Sequence, residues 1–251
     1  MELIHRQYHD GVTLLQLNRT VTNALNLQLV CELSESLKRA RDDPKVRGLV
    51  LGSTNDKFFS IGFDIPELFE LAKDDFVPFF QTFNRLCLDL YTWPKPTIAA
   101  ITGHAIAGGC ILALCCDYRL IAQGRKLMGL NEIQLGVPVP YVADRILEQL
   151  VGAQNAREIT YTGKFYSPKA LLPMGMIDQV LPLEQVLQQA IEKAKSLGAS
   201  PPDAFAMIKR NRTEIVEAQI QKRLAEKEQF FIECWYASQA RERLREAIKK
   251  F

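Results

Sequence analysis

One stretch of this chain leaves few folds open to it. Residues 96–101 (PTIAAI) make an apolar run of strand length, residues 102–109 (TGHAIAGG) a glycine-rich turn, and residues 110–116 (CILALCC) an apolar helical run. Strand and helix patterns alternate on either side of it. Residues 12–17 read as a strand after the His9-Asp10-Gly11 turn. Asn26 caps a helix over 27–42, with Leu27, Val30, Leu33 and Leu37 at helical spacing. Residues 46–51 are apolar throughout their core, as a parallel strand covered on both faces is. A helix over 76–91 stops at Trp93-Pro94, and 118–122 is a further strand. This alternation predicts an α/β fold with parallel strands.

Beyond about Tyr141 the pattern turns helical, with short helices near 141–151, 154–161 and 168–172, then one strand over 177–181. Nearly everything after Leu183 reads as helix, and Pro201-Pro202 marks a boundary. We therefore expect an α/β core over 1–198 and a helical segment over 199–251, with no internal sequence repeat.

A net charge of +2 spread along 251 residues gives no reason to expect nucleic acid. No apolar run approaches the roughly 18–20 residues of a membrane span. The N-terminal MELIHR has no signal-peptide core, and the final Lys249-Lys250-Phe251 is not a peroxisomal tripeptide. The six cysteines (Cys31, Cys87, Cys110, Cys115, Cys116, Cys234) lack CxxC spacing and are expected to be buried free thiols, in a cytoplasmic protein with no metal site.

Three segments carry chemistry. At Gly108-Gly109 two adjacent glycines let a ligand oxygen approach the main chain, where the free N–H groups of a helix start favour a developing oxyanion. Close packing of a helix on a strand selects glycine equally well. Residues 57–65 (KFFSIGFDI) suggest a tight turn at Gly62 opening a helix, with Asp64 as a first-turn carboxylate that steadies it. In residues 128–138 (MGLNEIQLGVP), Glu132 lies among apolar neighbours. A carboxylate so placed holds its proton longer and, once ionised, is a stronger base. A Glu paired to a backbone amide or an Arg is the alternative.

Taken together with LNR…NALN at 17–26, these segments resemble the crotonase (enoyl-CoA hydratase/isomerase) superfamily from about Val12 to Leu181. The resemblance implies a spiral of ββα units around a CoA-thioester site, with C-terminal helices that build trimers, often paired into hexamers. It places the thioester carbonyl between the N–H groups of Phe63 and Gly108. It further assigns CoA and acyl contacts to Asn23, Ala24, Leu25, Phe59, Ser60, Ile61, Gly62, Asp64 and Gly109, and makes Lys249 and Lys250 candidates for the nucleotide phosphates. No cofactor is implied, since CoA enters as part of the substrate.

The chain departs from the hydratases of that family at Ile111, where they carry a second glutamate. Hydration needs two carboxylates to hold and activate water, and Ile111 can neither bind water nor move a proton. A single carboxylate at Glu132 suits proton transfer from C2 to C4 of a 3-enoyl thioester, and GGCILALCCDYR at 108–119 with GLNEIQLG at 129–136 is most like the Δ3,Δ2-enoyl-CoA isomerases. Three other readings stay in view: a Cys110 or Ser60 nucleophile with His104, another thioester reaction (hydration, hydrolysis or dehalogenation), and a non-catalytic scaffold.

Overall fold

The computed structural model describes residues 2–249. The chain opens with a hairpin, β1 (Ile4–His9) antiparallel to β2 (Val12–Leu17). Its two turn residues, Asp10 (φ 46°) and Gly11 (φ 89°), both take the positive φ that a two-residue hairpin demands. α1 (Leu27–Asp42) follows, with the Asn26 side chain accepting from the Leu29 N–H at its start. The chain continues through β3 (Gly48–Ser53), β4 (Phe58–Ser60), α2 (Ile65–Phe69), α3 (Lys73–Tyr91), β5 (Thr97–Ile101), β6 (His104–Ile106), α4 (Gly108–Leu114), β7 (Tyr118–Ala122) and β8 (Met128–Gly129). A single 3₁₀ turn, Glu132–Leu135, precedes α5 (Tyr141–Thr162), α6 (Pro168–Leu171), β9 (Gln179–Leu181), α7 (Leu183–Gly198), α8 (Pro202–Tyr236) and α9 (Ser238–Ile248).

Six strands form one sheet in the order β1-β2-β3-β5-β7-β9, parallel at every pairing after the hairpin. Successive side chains on these strands serve two different cores, because a strand alternates faces at every residue. Leu49, Leu51, Ala99 and Ile101 enter the main core, while Val50, Ile98 and Ala100 pack against Val186, Ala190 and Ala194 of α7. Coverage on both faces is why these strands are apolar without alternation.

β4, β6 and β8 make a second, three-stranded parallel sheet. The pairs β3/β4, β5/β6 and β7/β8 each send one strand to either sheet, which is the spiral of ββα units that the family resemblance implies. β4 and β6 fall in stretches that the sequence suggests are turns, and β8 in one to which it assigns no element. At two or three residues they are too short to display a period of two, and pairing alone defines them.

Elsewhere the boundaries move. The strand expected over 46–51 runs Gly48–Ser53, since the Arg47 and Gly48 N–H groups both bond the Gly11 carbonyl below it. The helix expected from Phe76 begins at Lys73, with Asp74 and Asp75 in its first turn. The break near 152 is Gly152, whose φ of 76° and ψ of 161° interrupt α5. The strand over 177–181 shortens to Gln179–Leu181, leaving Asp178 to receive the Arg119 guanidinium at 2.9 Å.

α8 and α9 also share the main core, through Phe231, Ile232, Trp235 and Leu244. Phe76, Phe79, Phe80 and Phe83 line one face of α3 at i, i+3, i+4, i+7. Phe80 stacks on Phe231 with centroids 4.0 Å apart, and Phe76 on Trp235 at 4.7 Å. Phe63 meets the edges of this cluster, 4.9 Å from both Phe79 and Phe83. A part-buried ion pair, Lys209 Nζ to Asp117 Oδ2 at 2.8 Å, fastens α8 to the sheet. The same Asp117 oxygen also accepts from the Thr97 N–H and hydroxyl.

Candidate active site

The two glycine turns are built against each other. β4 delivers the chain to Gly62, whose φ is 93°. A Cβ there would lie 2.8 Å from the Gly108 nitrogen and 2.9 Å from the Ala107 Cβ. Only glycine allows the approach. Ala107 itself sits at φ 47°, ψ −119°, a strained conformation for a residue with a side chain, immediately before α4. Gly109 answers the packing alternative, since a Cβ on it would stand 2.3 Å from the Ser60 carbonyl oxygen. Phe63 is held by an isolated parallel bridge to Leu25, in which Leu25 N–H donates to Gly62 and Asp64 N–H donates to Leu25. Asp64 is the N-cap of α2, accepting from the Glu67 N–H at 3.1 Å. Phe63 and Gly108 both line one cleft, and among the described residues neither N–H has an acceptor.

That cleft, about 720 Å³, also holds Glu132. The 3₁₀ turn begins at Glu132 and ends at Gly136 in the left-handed region, where φ is 78°. Glu132 is 5% exposed, and its Oε2 has no hydrogen-bond partner among the described residues. Burial pushes its pKa up to about 7, its own backbone N–H opposing the rise. Ile111 is packed into the main core and does not reach the cleft. Glu242 and Glu246 of α9 also line the cleft, but both are exposed, unlike Glu132.

A nucleophile is not available where the sequence suggests one. The Ser60 hydroxyl, fully buried, donates to the Asn23 carbonyl and accepts from the Gly62 N–H. Burial, with Glu132 adding to it, pushes the Cys110 thiol well up. His104 lines the cleft, but its Nδ1 accepts from the Leu127 N–H at 3.0 Å, which puts the ring proton on Nε2. Burial followed by Lys126, Arg125 and Lys57 lowers its pKa.

Of the residues singled out in the sequence, Ile61, Phe63, His104, Gly108 and Glu132 line the cleft. Asn23, Ala24, Leu25, Phe59, Ser60, Gly62, Asp64 and Gly109 are not among the residues that line it. Asn23, at φ 45°, donates to Ser53 Oγ and to the Phe59 carbonyl and so braces these turns. Lys249 is exposed and pairs with Glu246 at 2.6 Å, and Lys250 lies outside the described residues. All six cysteines are free, yet Cys31 is exposed on α1 and Cys234 is only half-buried, packed at the edge of the main core. Asn131, Phe231, Trp235 and, from α9, Glu242, Arg243, Glu246 and Ala247 also line the cleft without any mark in the sequence motifs. The phenylalanine periodicity of α3 marks the aromatic cluster on which Phe231 and Trp235 stack, whereas the charged face of α9 looks like any solvated helix.

The family model described as enoyl-CoA hydratase/isomerase matches residues 7–251. Enoyl-CoA delta isomerase 1, mitochondrial, of Mus musculus is 33% identical over 189 residues. That match covers 75% of this chain and 65% of the relative, just under two thirds of its length. Crotonyl-CoA hydratase of Syntrophomonas wolfei is 26% identical across 99% of this chain and 96% of that protein. The crystal structure of human mitochondrial delta3-delta2-enoyl-CoA isomerase superposes with a TM-score of 0.95 at 27% identity, covering 99% of this chain and 97% of that one. Matched along almost its whole length in sequence and in backbone, the chain belongs to the enoyl-CoA hydratase/isomerase family.

Proposed function

We propose that this protein is a Δ3,Δ2-enoyl-CoA isomerase. One observation carries the reading: a single buried carboxylate, Glu132, shares a cleft with two N–H groups that have no acceptor, while the position of a second carboxylate is filled by Ile111 in the core. The thioester oxygen of a 3-enoyl-CoA accepts from the Phe63 and Gly108 N–H groups. Ionised Glu132 takes a proton from C2, and the electron pair moves through the carbonyl to leave a dienolate. The Glu132 carboxylic acid then returns that proton to C4, the carbonyl re-forms, and the double bond stands between C2 and C3. Atoms and charge balance without water, metal or redox cofactor.

The magnitudes suit the task. An oxyanion donor contributes about 10²–10³ in rate, and a positioned acid/base about 10²–10⁴. A carboxyl titrating near 7 is present in both protonation states at neutral pH, as a group that first accepts and then donates must be.

Hydration is the second reading, favoured by the exposed Glu242 in the cleft and by the full-length likeness to a crotonyl-CoA hydratase. Incubation with a 3-enoyl-CoA separates the two. Isomerisation produces the absorbance of a conjugated 2-enoyl thioester, and Glu132→Gln lowers that rate at least about 10³-fold while CoA-ester binding persists. Rapid loss of the conjugated absorbance of crotonyl-CoA, removed by Glu242→Gln, puts hydration first. We also propose the trimer or dimer of trimers that the family resemblance implies, with the exposed Met207, Ile208 and Ile215 of α8 supporting a surface covered between subunits.

A further inference from the structure

We propose that Arg19 is a positioning residue for the oxyanion donor at Phe63. The proposal rests on the functional reading above and names a part of its machinery that lies outside the cleft. Arg19 bonds the chain on either side of the Leu25–Phe63 bridge at once, through Ala24 before Leu25 and Asp64 after Phe63. On one side its N–H donates to Asn23 Oδ1 at 3.0 Å, and its Nη1 donates to the Ala24 carbonyl at 2.8 Å. On the other, Nη1 meets Asp64 Oδ2 at 2.5 Å and Nη2 meets Glu67 Oε2 at 2.9 Å. Asn26, which caps α1, adds bonds from Nδ2 to both Glu67 oxygens at 3.0 Å.

The Phe63 N–H therefore hangs between two fixed points. Gly62 and Asp64, its chain neighbours, are bonded through their main chain to Leu25. The Asp64 side chain, which caps α2, is clamped by a guanidinium that also grips the residue before Leu25. The Arg19 side chain is 18% exposed and that of Asp64 14%, so water competes weakly for the pair. A planar fork reaches a carbonyl and two carboxylates together, which an ammonium on a flexible stem does not reproduce. Without the clamp, α2 and the Phe63 peptide are free to move relative to Gly108. Misplacement of about 1 Å costs on the order of 10²-fold in rate.

The test compares Arg19→Met, Arg19→Lys and Asp64→Asn with the unaltered protein, using 3-enoyl-CoA for kinetics and acetoacetyl-CoA as a bound probe. The probe reports the oxyanion site directly, because its enolate absorbs and forms at a lower pH the better its oxygen is bound. Arg19→Met is expected to lower kcat about 10–100-fold with KM within about threefold. The pH at which bound acetoacetyl-CoA becomes enolate rises by about one unit, since the lost stabilisation acts on the anion. Arg19→Lys recovers only part of either effect, and Asp64→Asn reproduces both in weaker form. Thermal melting run alongside identifies loss of folded protein. An enolate titration unchanged in folded Arg19→Met, or a kcat within twofold of the original, overturns the proposal. Failure of the unaltered protein to enolise the probe instead overturns the functional reading, whatever Arg19 does.

Discussion

Glu132 gathers the local physics of this molecule in one side chain. Its carboxyl is buried without a counter-charge, so desolvation governs its titration and moves it from 4.5 to about 7. Two measurements follow from that displacement. If ionised Glu132 is the base, kcat/KM falls tenfold per pH unit below about 7 and levels off above it. Stability moves the other way. Between 4.5 and 7 the folded state keeps a proton that the unfolded chain has released, so stability declines as pH rises through this window. The shift corresponds to about 3 kcal/mol. Glu132→Gln is therefore expected to be inactive yet more stable at pH 8, by up to about 3 kcal/mol, and little changed near pH 4, by urea titration at both values. Gly62 presents the opposite case, a residue whose lack of a side chain matters. Gly62→Ala combines a positive φ with a 2.8 Å approach to the Gly108 nitrogen. It is expected to cost about 1–3 kcal/mol and to reduce kcat more than it raises KM, as read in melting and steady-state kinetics.

Among the elements, α9 does what no single residue reports. It lies across the cleft with one part on the 3₁₀ turn and another on α2. Ala240 packs on Gly136, where a Cβ would come within 3.1 Å of the Ala240 Cα, and Arg243 Nη1 donates to the Gln134 carbonyl. Arg241 donates to the Phe69 carbonyl and lies 3.4 Å from the centre of its ring. The helix thus joins the segment bearing Glu132 to the one that follows Phe63. Ala240→Leu is expected to overpack this seam, costing about 1–3 kcal/mol. Because the turn beneath carries Glu132, kcat should fall about tenfold or more. A rate that is unchanged in folded Ala240→Leu would mean that α9 covers the site without setting its spacing.

On the scale of the whole molecule, the apolar residues on α8 contrast with its buried ones. Met207, Ile208 and Ile215 are exposed, at 59%, 61% and 76%, whereas Val216 and Ile220 sit in the core. If α8 builds the proposed trimer, Ile215→Asp shifts the mass seen by light scattering toward the monomer, while an isolated chain keeps its mass unchanged. The strands and helices that wrap around the core were readable beforehand, because each is long enough to display its own period. So were Glu132, Gly108 and the glycine at 62, whose chemistry is local to a turn. The second sheet was not, since β4, β6 and β8 exist only by pairing with one another. Nor was the Arg19 clamp, which reaches 45 residues along the chain to Asp64, or the α9 seam, which spans 109 residues from Gln134 to Arg243. Sequence determines what each segment prefers and which groups it carries. Only tertiary structure decides which segments meet, because packing and desolvation act between residues far apart in the chain, and here those contacts bury the carboxylate and aim the amides.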